Sequence, residues 1–185
     1  MSHIAQSLMA GCDWETLRTD SGSGHAVPAA ILRLFSAMDE QQAEAAYWQI
    51  DNEVVVQGNL FNSAVPTIEV LLAGVCSVAS LFAKRAVVEL IQQISCGESA
   101  LVEIEANNPN LGEQVRMHAR EALWLMYGWL ADEDEDVREC SLLTLASVER
   151  ARGRLRLALR GVAAHDPSEK VRNTARRALE NMDEV

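Results

Sequence analysis

The feature that most constrains this 185-residue chain is a helix-length pattern that returns after 34 positions. Val137, Ser141, Thr144, Leu145 and Val148 are matched by Val171, Ala175, Ala178, Leu179 and Met182. The spacing i, i+4, i+7, i+8, i+11 places each set on one face of an α-helix. An acidic turn precedes each helix, DEDEDVRE from Asp132 and HDPSEKVRN from His165, and an arginine follows the leading valine both times. Between them Arg152 to Ala164 carries Leu155, Leu159 and Val162 at helical spacing, which supplies an intervening outer helix. One helix cannot bury such a stripe alone, so a chain with this period has to stack its units side by side. Asp134 and Asp166 are the expected caps, each accepting from free N–H groups of the following helix.

The upstream half shows the same logic more loosely. Ala26-Val27-Pro28 starts a helix with proline in its first turn, and Ile31, Leu34, Phe35 and Met38 form its stripe. Asp39 is the expected cap of a partner helix whose buried face is Ala43, Ala46, Tyr47, Ile50 and Val54. Ala64-Val65-Pro66 repeats the first start, with Val65, Ile68, Leu72 and Val75 as its stripe. Its partner begins near Ser77 and carries Ala83, Val87, Leu90, Ile91 and Ile94. Val115, Ala119, Ala122, Leu123 and Met126 share the later pattern at an unequal offset, which assigns them to an outer helix. The expectation is one all-α assembly: residues 1–25 a cap and Ser/Gly loop, and residues 26–185 a repeat domain of about four helical pairs. A long polar interruption spans about residues 96–112, with a helical turn at Leu101, Val102 and Ile104 inside it.

Charge sets the partner class. The chain carries 27 acidic and 16 basic residues, a net of −11, and the imbalance is N-terminal. Residues 1–110 hold 13 acids against 4 bases, and residues 111–185 hold 14 against 12. A negative field repels phosphate backbones and anionic lipids, so the expected partner is a basic protein, not nucleic acid or a membrane. The four cysteines form no CxxC pair, the four histidines form no HxxxH or HExxH pair, and no GxSxG, GxxxxGK[ST] or GxGxxG stretch is present. These absences give no metal, cofactor or catalytic residue to propose. No basic leader with an apolar core opens the chain, and a cytoplasmic location is expected. Arg150, Arg152, Arg154, Arg156 and Arg160 cluster on the outer helix, where Asp132 to Asp136 and Glu149 are the expected counter-charges.

DEDEDVRECSLLTLA and HDPSEKVRNTARRALENM resemble the second helices of HEAT repeats, with an Asp-bearing turn, Val-Arg, and small residues at the packing face. DWETL, AVPAAILRLF and VVVQGNLFNSAVPTIEVLL resemble a group of small bacterial HEAT-repeat proteins, and the likeness extends over nearly the whole chain. The second pair departs from it, with Ala83-Lys84 in place of Val-Arg. The resemblance implies a right-handed α-α superhelix and bears hardly at all on activity; with no catalytic motif in the chain, a non-enzymatic binding module is expected. Some proteins of this build look like immunity partners of bacterial toxins; others are general scaffolds, DNA glycosylases or bilin lyases. Inner helices of such folds usually line a concave binding face. The residues expected there are Glu44, Trp48, Asp51, Asn52 and Glu53, then Glu89, then Arg138 and Glu139, then Arg172 and Arg176. The interrupting loop is expected to close over that face. Trp48, between carboxylates at the edge of an apolar stripe, is the strongest contact candidate. Trp124 and Trp129 are expected in the core.

Overall fold

A computed structural model describes residues 1–183 of the chain. Among the described residues eleven α-helices carry the fold, and five strands of two residues each fasten it. The chain divides into two compact units, residues 1–119 and the residues from 120 onward. The division falls within a helix, far from the cap boundary expected at residue 25.

In the first unit, α1 (His3–Gly11) packs on α4 (Ala64–Gly74), and α2 (Val27–Ser36) packs on α3 (Glu40–Val54). Helix α5 (Leu81–Cys96) lies against α2, α3 and α4. The caps follow from sequence: Asp39 accepts from the Gln42 N–H at 2.8 Å, and Ser80 accepts from the Ala83 N–H at 3.1 Å. Ala43, Ala46, Tyr47, Ile50 and Val54 are all buried, as are Ala83, Val87, Leu90, Ile91 and Ile94. Met38 is a correction, because it is 64% exposed. Helix α2 ends at Ser36 and Ala37 is extended, so Met38 has left the helical phase that would have turned it inward. Helix α4 buries Val70 and Leu71 while Val65 and Leu72 are only half-buried; covered by both α1 and α5, it has no single apolar stripe.

The strands were not foreseen. β1 (Arg18–Thr19) and β2 (Gly22–Ser23) form a hairpin. β3 (Val55–Val56) pairs antiparallel with β4 (Asn59–Leu60) across Gln57-Gly58, both at positive φ. That is the turn geometry a tight hairpin needs. β5 (Glu98–Ser99) pairs parallel with β4. The interruption expected at 96–112 is therefore fastened, not free: β5 leads into a short helix α6 (Leu101–Glu105), and Ala100 N–H donates to the Leu60 carbonyl at 2.9 Å. Gly97 allows the close approach, since a Cβ there would lie 2.7 Å from Leu60 side-chain carbons.

Helix α7 (Leu111–Glu121) crosses the division, and the second unit continues with α8 (Leu123–Trp129), α9 (Glu135–Val148), α10 (Arg152–His165) and α11 (Glu169–Asp183). Helix α9 packs on α8 and α11, and α10 on α11. Asp134 caps α9, accepting from the Asp136 and Val137 N–H groups at 3.1 Å. Asp166 accepts from the Ser168 N–H at 2.8 Å in the turn before α11. The 34-residue period appears in the side chains as well. Arg138 Nη1 donates to the carbonyls of Asp132 and Glu133 at 2.9 and 3.0 Å, and Arg172 Nη1 donates to those of Asp166 and Pro167 at 2.6 and 3.0 Å. Trp124 is a second correction: it is 72% exposed, whereas Trp129 is buried. Ala122 leaves helical geometry (φ −106°, ψ 17°), which restarts the helical phase and turns Leu125, Met126 and Trp129 inward instead.

Candidate protein-binding surface

Helix α3 presents the expected N-terminal group. Its apolar face points into the unit, which leaves Glu44, Trp48 and Asn52 exposed and Asp51 and Glu53 half-buried. Trp48 is 49% exposed, stands edge-on to Tyr47 with ring centroids 5.1 Å apart, and directs its indole N–H at Glu44 Oε1, 3.4 Å away. The indole is thus held by a ring on one side and a carboxylate on another, with about half its surface open.

Tyr47 organises a second cluster that connects α3 with α5. Its hydroxyl lies 3.4 Å from Asp51 Oδ1 and also hydrogen-bonds Glu89. Burial, followed by the charges of Glu89 and Asp51, raises the phenol far above its ordinary value, so it stays a donor. Burial also raises the Asp51 carboxyl, and the Tyr47 hydroxyl only partly offsets this. A phenol has one proton, so two carboxylates share one donor.

Glu53 is tied to the β1–β2 hairpin: its Oε2 accepts from the Ser21 hydroxyl at 2.6 Å, and its carbonyl accepts from the Asp20 N–H at 3.1 Å. Burial pushes its pKa up, but hydrogen bonds from Ser21 and Thr19 outweigh this and hold the carboxyl below its ordinary value. Trp48, Asn52 and Glu53 line a shallow groove of about 350 Å³ with Ala26, Ala30 and Arg33. Arg33 is occupied there, its Nε and Nη2 donating to Gln49 Oε1 at 3.1 and 2.6 Å.

The C-terminal candidates lie in the second unit and are built differently. Arg138 was expected on an exposed face and is instead 5% exposed, with Nε and Nη2 donating to the Asp166 carboxylate at 2.9 and 3.0 Å. It joins the turn before α11 to α9 and is not open to a partner. Glu139 accepts from Lys170 at 2.7 Å and from the Thr174 hydroxyl at 2.7 Å, at the edge of a groove of about 670 Å³ between α9 and α11. Arg172 holds the carbonyl collar described above, and Arg176 donates to Asn173 at 2.6 Å on an exposed face. The acidic run is likewise engaged internally: Asp134 caps, Asp132 accepts from the Asp134 N–H, and Asp136 pairs with Lys170 at 3.0 Å. In the basic cluster of α10, Arg154 pairs with the buried Glu149 at 2.6 Å and Arg156 with Asp183 at 2.7 Å.

Sequence reasoning missed Arg18 and Glu103. Arg18 Nε and Nη2 donate to Glu103 Oε1 and Oε2 at 2.8 and 2.6 Å, and the Asn62 N–H adds a bond at 2.9 Å to a carboxylate with no exposed surface. Burial raises the Glu103 pKa, yet Arg18, Asn62 and Asn108 together hold it below the ordinary carboxylate range. The partners stand 85 positions apart, and nothing in a single sequence pairs them.

The two units differ in charge: residues 1–119 hold 14 acids against 5 bases, a net of −9, and residues 120–185 hold 13 against 11, a net of −2. Exposed carboxylates and the half-open indole therefore coincide on the strongly negative unit. Among the described residues no helix is long and apolar enough to cross a membrane. Comparison with protein-family models, with curated proteins and with solved structures finds no match. Fold and surface together define an all-α protein of packed helical pairs with an acidic, aromatic-bearing face on its first unit.

Proposed function

We propose that this chain is a non-enzymatic binding protein whose α3 face takes a basic protein partner, most specifically a bacterial toxin domain that it blocks as an immunity protein. In this reading the helical pairs are HEAT-like repeats of a right-handed α-α superhelix, and the protein works in the cytoplasm. The observation that carries the proposal is Trp48: an indole left half exposed, beside Glu44 and braced by Tyr47, whose hydroxyl meets Asp51 and Glu89, on a unit of net charge −9. Aromatics that are rigid before binding lose little entropy on contact, and surrounding carboxylates steer a cationic surface toward them. Asp51 supports the same reading. Burial holds its carboxyl above the ordinary value, so its charge is poorly solvated in the free protein and gains from the arrival of a cation.

Coexpression tests the proposal. A basic polypeptide encoded beside this gene should arrest growth when expressed alone and be neutralised when this chain is present, with the two copurifying at low salt. If the neighbouring product is harmless and no complex forms with it at low salt, the immunity reading fails. A complex with nucleic acid instead would remove the basic-protein reading altogether.

A further inference from the structure

Helices α9 and α11 run parallel: Lys170 meets Asp136 and the Thr174 hydroxyl meets Glu139, pairs 34 and 35 positions apart that advance together along both helices. On α9, Glu139, Leu143 and Ala146 recur at i, i+4 and i+7, on the side away from the buried stripe of Val137, Ser141, Thr144 and Val148. On α11, Thr174, Ala178 and Asn181 recur at the same spacing. These two faces and the start of α10 line the groove of about 670 Å³, a trough about two helical turns, roughly 10 Å, in length. Leu143, Ala146, Leu155, Ala178 and Met182 supply its apolar surface. Ala146 is exposed and Leu143, Ala178 and Met182 are half-buried, so much of that surface meets solvent in the free chain.

The charges of the groove fall into two sets. Its carboxylates are neutralised within the unit: Glu139 pairs with Lys170, and Glu149 pairs with Arg154 while accepting from the Tyr127 hydroxyl and the Ala151 N–H. Its arginines, Arg152 and Arg177, are exposed, and among the described residues no carboxylate lies within ion-pair distance of either. Glu180, three positions beyond Arg177, does not line the groove.

We infer that the groove between α9 and α11 is a docking site for an acidic amphipathic helix. Leucines on one face of such a helix, at i, i+3, i+4 and i+7, match a trough two turns long with an apolar lining. Carboxylates beside those leucines match Arg152 and Arg177, whose planar guanidinium groups take a carboxylate through two parallel hydrogen bonds. A nucleic-acid strand would satisfy the arginines but leave the apolar lining uncovered, and a chain of net charge −11 repels its phosphates. The inference is independent of the basic partner proposed for the first unit, because it rests on other residues and on the opposite charge.

The test titrates the ¹⁵N-labelled full chain with a synthetic helix bearing leucines on one face and glutamates beside them, following backbone amide shifts. The expected result is shifts at residues 139–155 and 174–182. Affinity should fall at least tenfold in Arg152→Gln/Arg177→Gln, which removes the cations. It should fall by as much in Ala146→Glu, which sets a like charge in the trough at an exposed helical position. Both variants should melt with the parent. The same peptide with lysines for glutamates should shift residues 139–155 and 174–182 at least tenfold more weakly. No shifts, shifts confined to residues 1–119, or variants that bind as tightly as the parent would overturn the site. Equal binding of the lysine peptide in the groove, displacement of the acidic peptide by a short single-stranded DNA at equal concentration, or self-association of the chain abolished by Ala146→Glu would overturn the acidic helix as its occupant.

Discussion

Tyr47 is the residue at which stability and binding pull apart. Its hydroxyl is shared between Asp51 and Glu89, and burial disfavours the Asp51 charge. Asp51→Asn keeps an acceptor for the phenol and removes that charge. The expected outcome is an unfolding midpoint unchanged or raised, by up to about 1 kcal/mol, together with weaker binding of a basic partner. A drop of more than about 1 kcal/mol in urea unfolding would show that the carboxylate is structural. Glu103, Glu149 and Asp166 have the opposite sign. Burial raises each, but hydrogen bonds and an arginine beside each prevail, so each carboxyl is held below its ordinary value. In the window between folded and unfolded values the unfolded chain binds more protons, so stability rises with pH there and is complete above the unfolded values, about 4. The urea midpoint should fall steeply as pH drops below about 4, and Glu103→Gln should flatten part of that fall while costing about 1–3 kcal/mol at neutral pH. Curves for parent and variant that run parallel through the acid range would contradict the assignment.

At the scale of elements, Arg138 and Leu145 hold α9 in two different ways. Leu145 is 1% exposed among the apolar residues of the second unit, and Leu145→Ala should cost about 2–5 kcal/mol in urea unfolding. Arg138 joins α9 to the turn before α11 through Asp166, and removing only one member strands a buried charge. Asp166→Ala should therefore destabilise by about 3–5 kcal/mol, whereas replacing Arg138 and Asp166 together by apolar residues should recover much of that loss. Equal losses in the single and the double variants would contradict the link. The helices themselves were legible because their signals are local: the cap at Asp39, proline in the first turn of α2, and the stripes of α3, α5 and α9. What sequence periodicity could not supply was a change of phase. Ala37 and Ala122 each shift the register by backbone geometry alone, and that turned Met38 and Trp124 outward. The fastenings were hidden for a different reason, since Arg18 with Glu103 and β4 with β5 depend on residues remote in the chain. Gln57-Gly58 between two apolar runs was the one local sign of a hairpin.

For the whole molecule, the charge asymmetry read from the sequence falls on the unit that also carries Trp48, whereas the charged residues of the second unit are largely spent on one another. Arg138 with Asp166, Lys170 with Asp136 and Glu139, and Arg154 with Glu149 hold helices together. Of the ten residues expected to meet a partner, Glu44, Trp48 and Asn52 stand most open on α3, and Arg138 is excluded by burial. The central claim is that the first unit attracts a basic protein by charge and holds it at Trp48. The most direct measurement is the association and dissociation rate of the cognate basic polypeptide across a salt series, for the parent chain and for Glu44→Gln/Asp51→Asn and Trp48→Ala. Screening shortens the reach of the field from about 10 Å at 0.1 M salt to about 3 Å at 1 M, so the parent's association rate should fall at least about tenfold over that range. The charge variant should associate more slowly at low salt with a flatter salt dependence, and Trp48→Ala should associate normally but dissociate at least about tenfold faster. Association that ignores salt, with rates unchanged in both variants, would contradict the account.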